Sequence, residues 1–148
     1  MQSHISLYVS DLDQSSAFYT RFLGQEPTKR KPKYAKYQLE DPALVLSLVE
    51  NAERAQGGFG HLGIVVENTE AVDQWMEQVK KRGLEIALVE QGTRCCYARQ
   101  DKFWVKDPDG VQWEVYTFHE DSEWNDPEYV MSPEDNTPTD AGGACCAG

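Results

Sequence analysis

A chain of 148 residues and 16.8 kDa is long enough to bury one sizeable core and too short for two large independent ones. No stretch approaches the roughly 18 consecutive apolar residues of a membrane span, and the polar start MQSHISL lacks the charged and apolar regions of a signal peptide, so a cytoplasmic protein with no membrane partner is expected. The formal charge is −11, but residues 119–148 carry eight acidic and no basic side chains, leaving 17 acids against 14 bases elsewhere; no basic patch exists to neutralise phosphates, which argues against nucleic acid as a partner.

From His4 the alternation of Ile5, Leu7 and Val9 reads as a half-buried strand, followed by Asp11-Leu12-Asp13 and a helix whose apolar face is Leu12, Phe18, Phe22 and Leu23, stopped by Gly24. Extended segments at about Tyr34–Leu39 and Ala43–Val49 follow the breaks at Pro32 and Asp41-Pro42. Asn51–Gly58 reads as a linker. The pattern then restarts: His61, Leu62, Ile64 and Val66 repeat His4, Ile5, Leu7 and Val9 at an offset of 57, and Trp75 and Val79 fall where Phe18 and Phe22 place them. A second helix is expected over about 70–82, then strands around 84–90, 97–106 and 111–118, the last two joined by the turn signal Asp107-Pro108-Asp109-Gly110.

These features describe an α+β fold of two βαβββ modules, about 1–50 and 59–118, each too small to stand alone and therefore paired around a shared core with a cleft between mixed sheets. Residues 119–148 are rich in Pro, Asp, Glu, Asn, Thr and Gly and are expected to form an acidic, disordered tail.

The segments HISLYVSDLDQSSAFYTRFLG, HLGIVV and FWVKDPDGVQWEVY resemble the vicinal oxygen chelate superfamily of glyoxalases, bleomycin-resistance proteins and extradiol dioxygenases over about 1–118. The resemblance implies that fold, with one divalent metal held by His4, His61 and Glu114. The residues agree with this. Imidazoles at two repeat-related strand starts can converge from the two sheets, and a carboxylate on the last strand can complete the set. A lone histidine is more often a strand-edge residue bonded to backbone; repeat symmetry favours the ligand reading here. Two histidines and one carboxylate leave positions open for O2 or substrate, as in non-haem Fe(II) oxygenases. Aligning Asp41–Leu48 with Asp109–Tyr116 sets Leu46 opposite Glu114, so the first module supplies no fourth ligand. His119 fits no such pattern and is expected at the surface.

The four cysteines form two adjacent pairs, Cys95-Cys96 and Cys145-Cys146, rather than a dispersed disulfide framework, so reduced thiols are expected. A disulfide between neighbours closes a strained ring, whereas two thiolates in the connection 93–98 can turn towards one soft centre. Trivalent arsenic bearing one organic group has two exchangeable positions and prefers sulfur. An isolated thiol is more commonly buried packing.

The stretch CCYARQDKFWVKDPDGVQWEVY resembles more closely the cadmium-induced protein family and, within it, the organoarsenical carbon-arsenic lyases. That resemblance implies a non-haem Fe(II)-dependent dioxygenase with O2 as co-substrate. It would cleave the carbon-arsenic bond of trivalent methyl or aromatic arsenicals to inorganic As(III), with the arsenic bound by Cys95 and Cys96. Ni, Co or Zn can replace iron in preparations, since imidazole-carboxylate sites bind them more tightly. Cys145 and Cys146 are accessory thiols at most.

Tyr34, Tyr37, Tyr97, Phe103 and Trp104 lie on expected strands and are candidates for an aromatic wall, though most such residues are core, and alternation sends Phe103 and Trp104 to opposite faces. The basic run Lys29–Lys33 reads as a solvated strand edge. Competing readings are a protein that sequesters Cd(II), As(III) or an antibiotic without turnover, and an extradiol dioxygenase or glyoxalase of another substrate. Either a monomer or a homodimer is compatible with two modules of this kind.

Overall fold

A computed structural model describes residues 1–95 and 98–121. Strand β1 (Ser3–Val9) leads into helix α1 (Leu12–Leu23), then β2 (Lys29–Lys31), β3 (Tyr34–Leu39) and β4 (Leu44–Glu50). The second module repeats this order with β5 (Leu62–Val65), α2 (Thr69–Lys81), β6 (Leu88–Cys95), β7 (Ala98–Lys106) and β8 (Gln112–Asp121). Each module makes a four-stranded mixed sheet, ordered β1-β4-β3-β2 and β5-β8-β7-β6, with β1–β4 and β5–β8 parallel and the other pairings antiparallel. This is the expected α+β architecture, and β1 and β5 are the outer strands of separate sheets.

Local chemistry sets the helix limits. The Asp11 side chain accepts from Gln14 N–H at 2.9 Å and Asn68 from Ala71 N–H at 2.9 Å, each cap contributing about 1 kcal/mol. Arg21 in the last turn of α1 and Lys80 and Lys81 in that of α2 face the negative dipole ends. Gly24, at φ 71°, ends α1 in the left-handed region that glycine enters without strain.

Strand alternation sorts the two sheet faces. Leu7, Val9, Leu46 and Leu48 point inward from the first sheet and Ile64, Phe103, Val105, Trp113 and Val115 from the second, joining both helices in one core. Across the module boundary Phe22 meets Trp75 at 6.0 Å, and Tyr19 meets Trp113 edge-on at 6.2 Å. Trp75 Nε1 donates to Phe22 O at 3.0 Å, and Tyr19 OH donates to Asp107 Oδ2 at 2.7 Å while accepting from Trp113 Nε1 at 3.1 Å. Burial pushes the Asp107 carboxyl up, opposed by its bond from Tyr19. The linker ends against the same turn: a Cβ on Gly57 would sit 2.5 Å from the Gly110 carbonyl carbon, so only glycine allows that approach.

Three expectations change. The strand placed at 84–90 starts later and runs to Cys95, because its alternation pairs with β7 well beyond Glu90. The last strand continues to Asp121, so His119 belongs to the sheet rather than to a tail, and the remaining tail with Cys145 and Cys146 lies outside the described residues. Leu46 is not the counterpart of Glu114. Leu62 pairs with Trp113 as Ile5 pairs with Leu46, and Gly63 with Glu114 as Ser6 with Ser47, so Ser47 holds that place while Leu46 is fully buried core.

Candidate functional site

The face of the second sheet turned away from the helices carries polar side chains that are nevertheless buried, Glu90, Gln100, Lys102 and Glu114. Direct pairing of Gly63 with Glu114, Glu114 with Trp104, and Trp104 with Leu88 forms one cross-strand row; Val65, Tyr116, Lys102 and Glu90 form the next. His61 precedes β5 and sits over the first row, its ring edge-on to Trp104 at 5.0 Å. Its Nε2 lies 3.3 Å from Glu114 Oε1, while Lys102 Nζ lies 3.1 Å from Glu114 Oε2 and 3.1 Å from Gln100 Oε1. Trp104 Nε1 donates to Glu90 Oε2 at 2.6 Å.

Burial alone would push the Glu114 carboxyl up, but the hydrogen bond to His61 and the charge of Lys102 outweigh it and hold the group below the ordinary carboxylate range. Glu114 is therefore an anion at neutral pH. Gly63 leaves the space it needs: a Cβ there would stand 3.1 Å from Glu114 Oε1 and 3.2 Å from Tyr116 Cε1.

The first sheet carries a related arrangement on its outward face. His4 Nε2 lies 3.1 Å from Ser47 Oγ, which is also 3.2 Å from Tyr34 OH. His4 is exposed, whereas Ser47 is buried.

The structure thus joins His61 to Glu114 and places His4 with Ser47 instead; among the described residues, no three of His, Cys, Asp and Glu stand together as a metal-holding group. The His61 and Glu114 pair nevertheless suits a cation. Donors bound at about 2.1 Å on adjacent corners of an octahedron or tetrahedron stand about 3.0 to 3.4 Å apart, and the observed 3.3 Å falls in that range.

Cys95 ends β6 and pairs with Ala98 at the start of β7; Cys96 and Tyr97 lie outside the described residues. From Ala98 to Trp104, the residue paired with Glu114, an extended strand spans about 20 Å. Register shifts interrupt the hairpin between Glu90 and Thr93 and, against β8, between Arg99 and Gln100. Such bulges bend the strands that carry them. Below them Asp101 accepts from Thr69 Oγ1 at 2.6 Å and from Gly92 N–H at 2.5 Å and pairs with His119 at 2.8 Å, tying the hairpin to α2 and β8.

Of the aromatic candidates, Trp104 stands beside His61 and Tyr34 beside Ser47. Phe103 is corrected: it points into the core, as alternation against Trp104 requires, and does not line the site. Tyr37 is fully buried too, its hydroxyl bonded to Ser16 O. Sequence reasoning missed Ser47, Gly63, Gln100 and Lys102. Ser47 had a signal, as the sole polar residue in the run LVLSLV; a lysine on a strand reads by default as solvated.

The profile of the Glyoxalase/Bleomycin resistance protein/Dioxygenase superfamily matches residues 2–115. A protein named trivalent organoarsenical cleaving enzyme from Bacillus sp. (strain MD1) is 43% identical over 114 residues, 77% of this chain and 71% of its own. The cadmium-induced protein CadI of Mycobacterium tuberculosis (strain ATCC 25618 / H37Rv) is 39% identical over 145 residues, covering 97% of this chain and 91% of its own. The fold matches the crystal structure of a glyoxalase/bleomycin resistance protein/dioxygenase from Alicyclobacillus acidocaldarius with a TM-score of 0.67 at 18% identity, over 81% of this chain and 92% of that one. The chain belongs to the glyoxalase/bleomycin resistance protein/dioxygenase superfamily.

Proposed function

We propose that this protein is an Fe(II)-dependent dioxygenase that uses O2 to cleave the carbon-arsenic bond of trivalent organoarsenicals, releasing inorganic As(III) and the organic group in oxidised form. The observation that carries this reading is the pairing of half-buried His61, through Nε2, with Oε1 of buried, ionised Glu114, 3.3 Å apart, on the sheet whose hairpin bears Cys95. Relatives at 36–43% identity that bear the arsenical-cleaving name support the substrate class.

His61 and Glu114 would hold the metal, with His4 as third ligand. Bound there, iron would supply the electron transfer to dioxygen that no side chain provides. The chain supplies the positioning. Cys95 and Cys96 bind the arsenic as two thiolates, and Trp104 walls the site beside His61. Since β1 and β5 are outer strands of separate sheets, His4 would reach the other ligands only where two such edges are apposed, as between the copies of a homodimer. Ser47, in the place of a second carboxylate, separates this chain from a four-ligand glyoxalase site.

The testing experiment is anaerobic reconstitution with Fe(II), addition of a trivalent arylarsenical, then air, with oxygen uptake and arsenic speciation followed. Uptake with release of inorganic As(III) is expected; metal and arsenical binding without uptake overturns the reading. That second outcome is favoured by one observation: about 20 Å of strand separates the thiol end from the Glu114 row, which suits a protein that sequesters soft metals at its cysteines.

A further inference from the structure

Lys102 is 1% exposed, on the inner strand β7, with its ammonium 3.1 Å from Glu114 Oε2, 3.1 Å from Gln100 Oε1 and 5.3 Å from the centroid of the Trp104 ring. A buried ammonium persists only where charge and hydrogen bonds compensate its lost hydration. Here they do so by dividing one carboxylate. Oε1 of Glu114 faces His61, and Oε2 is taken by Lys102.

We propose that Lys102 is a positioning residue that restricts Glu114 to one metal-binding oxygen and thereby keeps a coordination position open for the reactants. This rests on the metal site assigned above. A carboxylate free to use both oxygens occupies two positions on a cation, whereas a two-histidine, one-carboxylate site works through the positions left vacant. The lysine also sets a positive charge near the metal, so the open position comes at the expense of affinity. A lysine that merely fills and neutralises the sheet would have the opposite signature, because its removal would loosen Glu114 and weaken metal binding.

The test is titration of full-length, metal-free protein with Co(II) alone, followed by visible absorption, for the wild type, Lys102→Met and Lys102→Arg. Lys102→Met is expected to bind Co(II) at least tenfold more tightly, with weaker absorption bands as the coordination number rises. It should lose at least 100-fold in turnover after Fe(II) reconstitution. Lys102→Arg should return towards the wild-type spectrum and affinity. Unchanged or weaker Co(II) binding by Lys102→Met overturns the proposal while leaving the metal site intact; failure of the wild type to bind Co(II) removes both. Should Lys102→Met not fold, a crystal structure of the Co(II)-loaded wild type decides. One Glu114 oxygen on the metal with Lys102 on the other supports the proposal, and two oxygens on the metal refute it.

Discussion

The two sheets are copies of one plan, and their outward faces carry the same histidine-to-strand contact with different chemistry. In the second module a buried carboxylate meets His61 Nε2 at 3.3 Å and is backed by a buried lysine; in the first, the matching register position is a hydroxyl, 3.1 Å from an exposed His4 and shared with Tyr34. Duplication supplies the register, while single substitutions within it decide which half can hold a charge. The second half therefore holds a buried anion, and the first holds only a histidine beside a hydroxyl.

The largest effects should come from the half that holds the charge. His61→Ala and Glu114→Ala are each expected to lower metal affinity by more than about 100-fold, since even groups that only support a ligand are worth 10–100-fold. Circular dichroism should show both variants folded, because open sites contribute less to folding than closed ones. His4→Ala should lose turnover as well. Mixing His4→Ala with His61→Ala chains tells whether the ligands come from one copy: recovered metal binding and activity in the mixture means that they are shared between two.

Converting the first half into a copy of the second is the next test. Ser47→Glu places a carboxylate where the register puts the counterpart of Glu114, and should raise metal affinity at least about tenfold while abolishing turnover, as a fourth protein ligand fills an open position. Unchanged affinity, measured by competition with a chelating dye, would mean that the two faces do not meet around one ion.

Cys95→Ser and Cys96→Ser address the feature that has no counterpart in the first module. Each should lose most activity with metal content retained, because a serine hydroxyl stays protonated and hard at neutral pH. The double variant should be scarcely worse than either single one, as expected when two groups act as a unit. Near-normal kcat/KM for a trivalent arsenical in either single variant would refute a two-thiolate clamp.

Smaller effects concern stability. Tyr19→Phe removes the donor to buried Asp107 and should cost about 1–3 kcal/mol in urea denaturation. In metal-free protein the lowered Glu114 adds stability that is present above the ordinary carboxylate range and is lost as pH falls through its depressed folded value. Wild type and Glu114→Gln should therefore converge in Tm towards acid pH, where the pairing with His61 and Lys102 is lost. A constant difference down to acid pH would contradict that assignment.

The amino-acid order alone specified the duplicated βαβββ plan, the Asp11 and Gly24 limits of the first helix, and the histidine and glutamate positions that candidate ligands occupy. These depend on periodicity and capping, which are local and repeat at a readable offset. The pairing of Ser47 rather than Leu46 with the Glu114 position did not follow, because one residue of register exchanges the faces of a whole strand and only the ladder settles it. Lys102 was illegible for a related reason. Whether a strand lysine is solvated or buried against a carboxylate depends on what lies one strand across, and Trp104, Glu114 and Gln100 come together only when β7 and β8 pair. The separation of His4 from His61 is likewise tertiary: repeat symmetry equates their places within modules, while the packing of α1 and α2 between the halves decides how the modules meet.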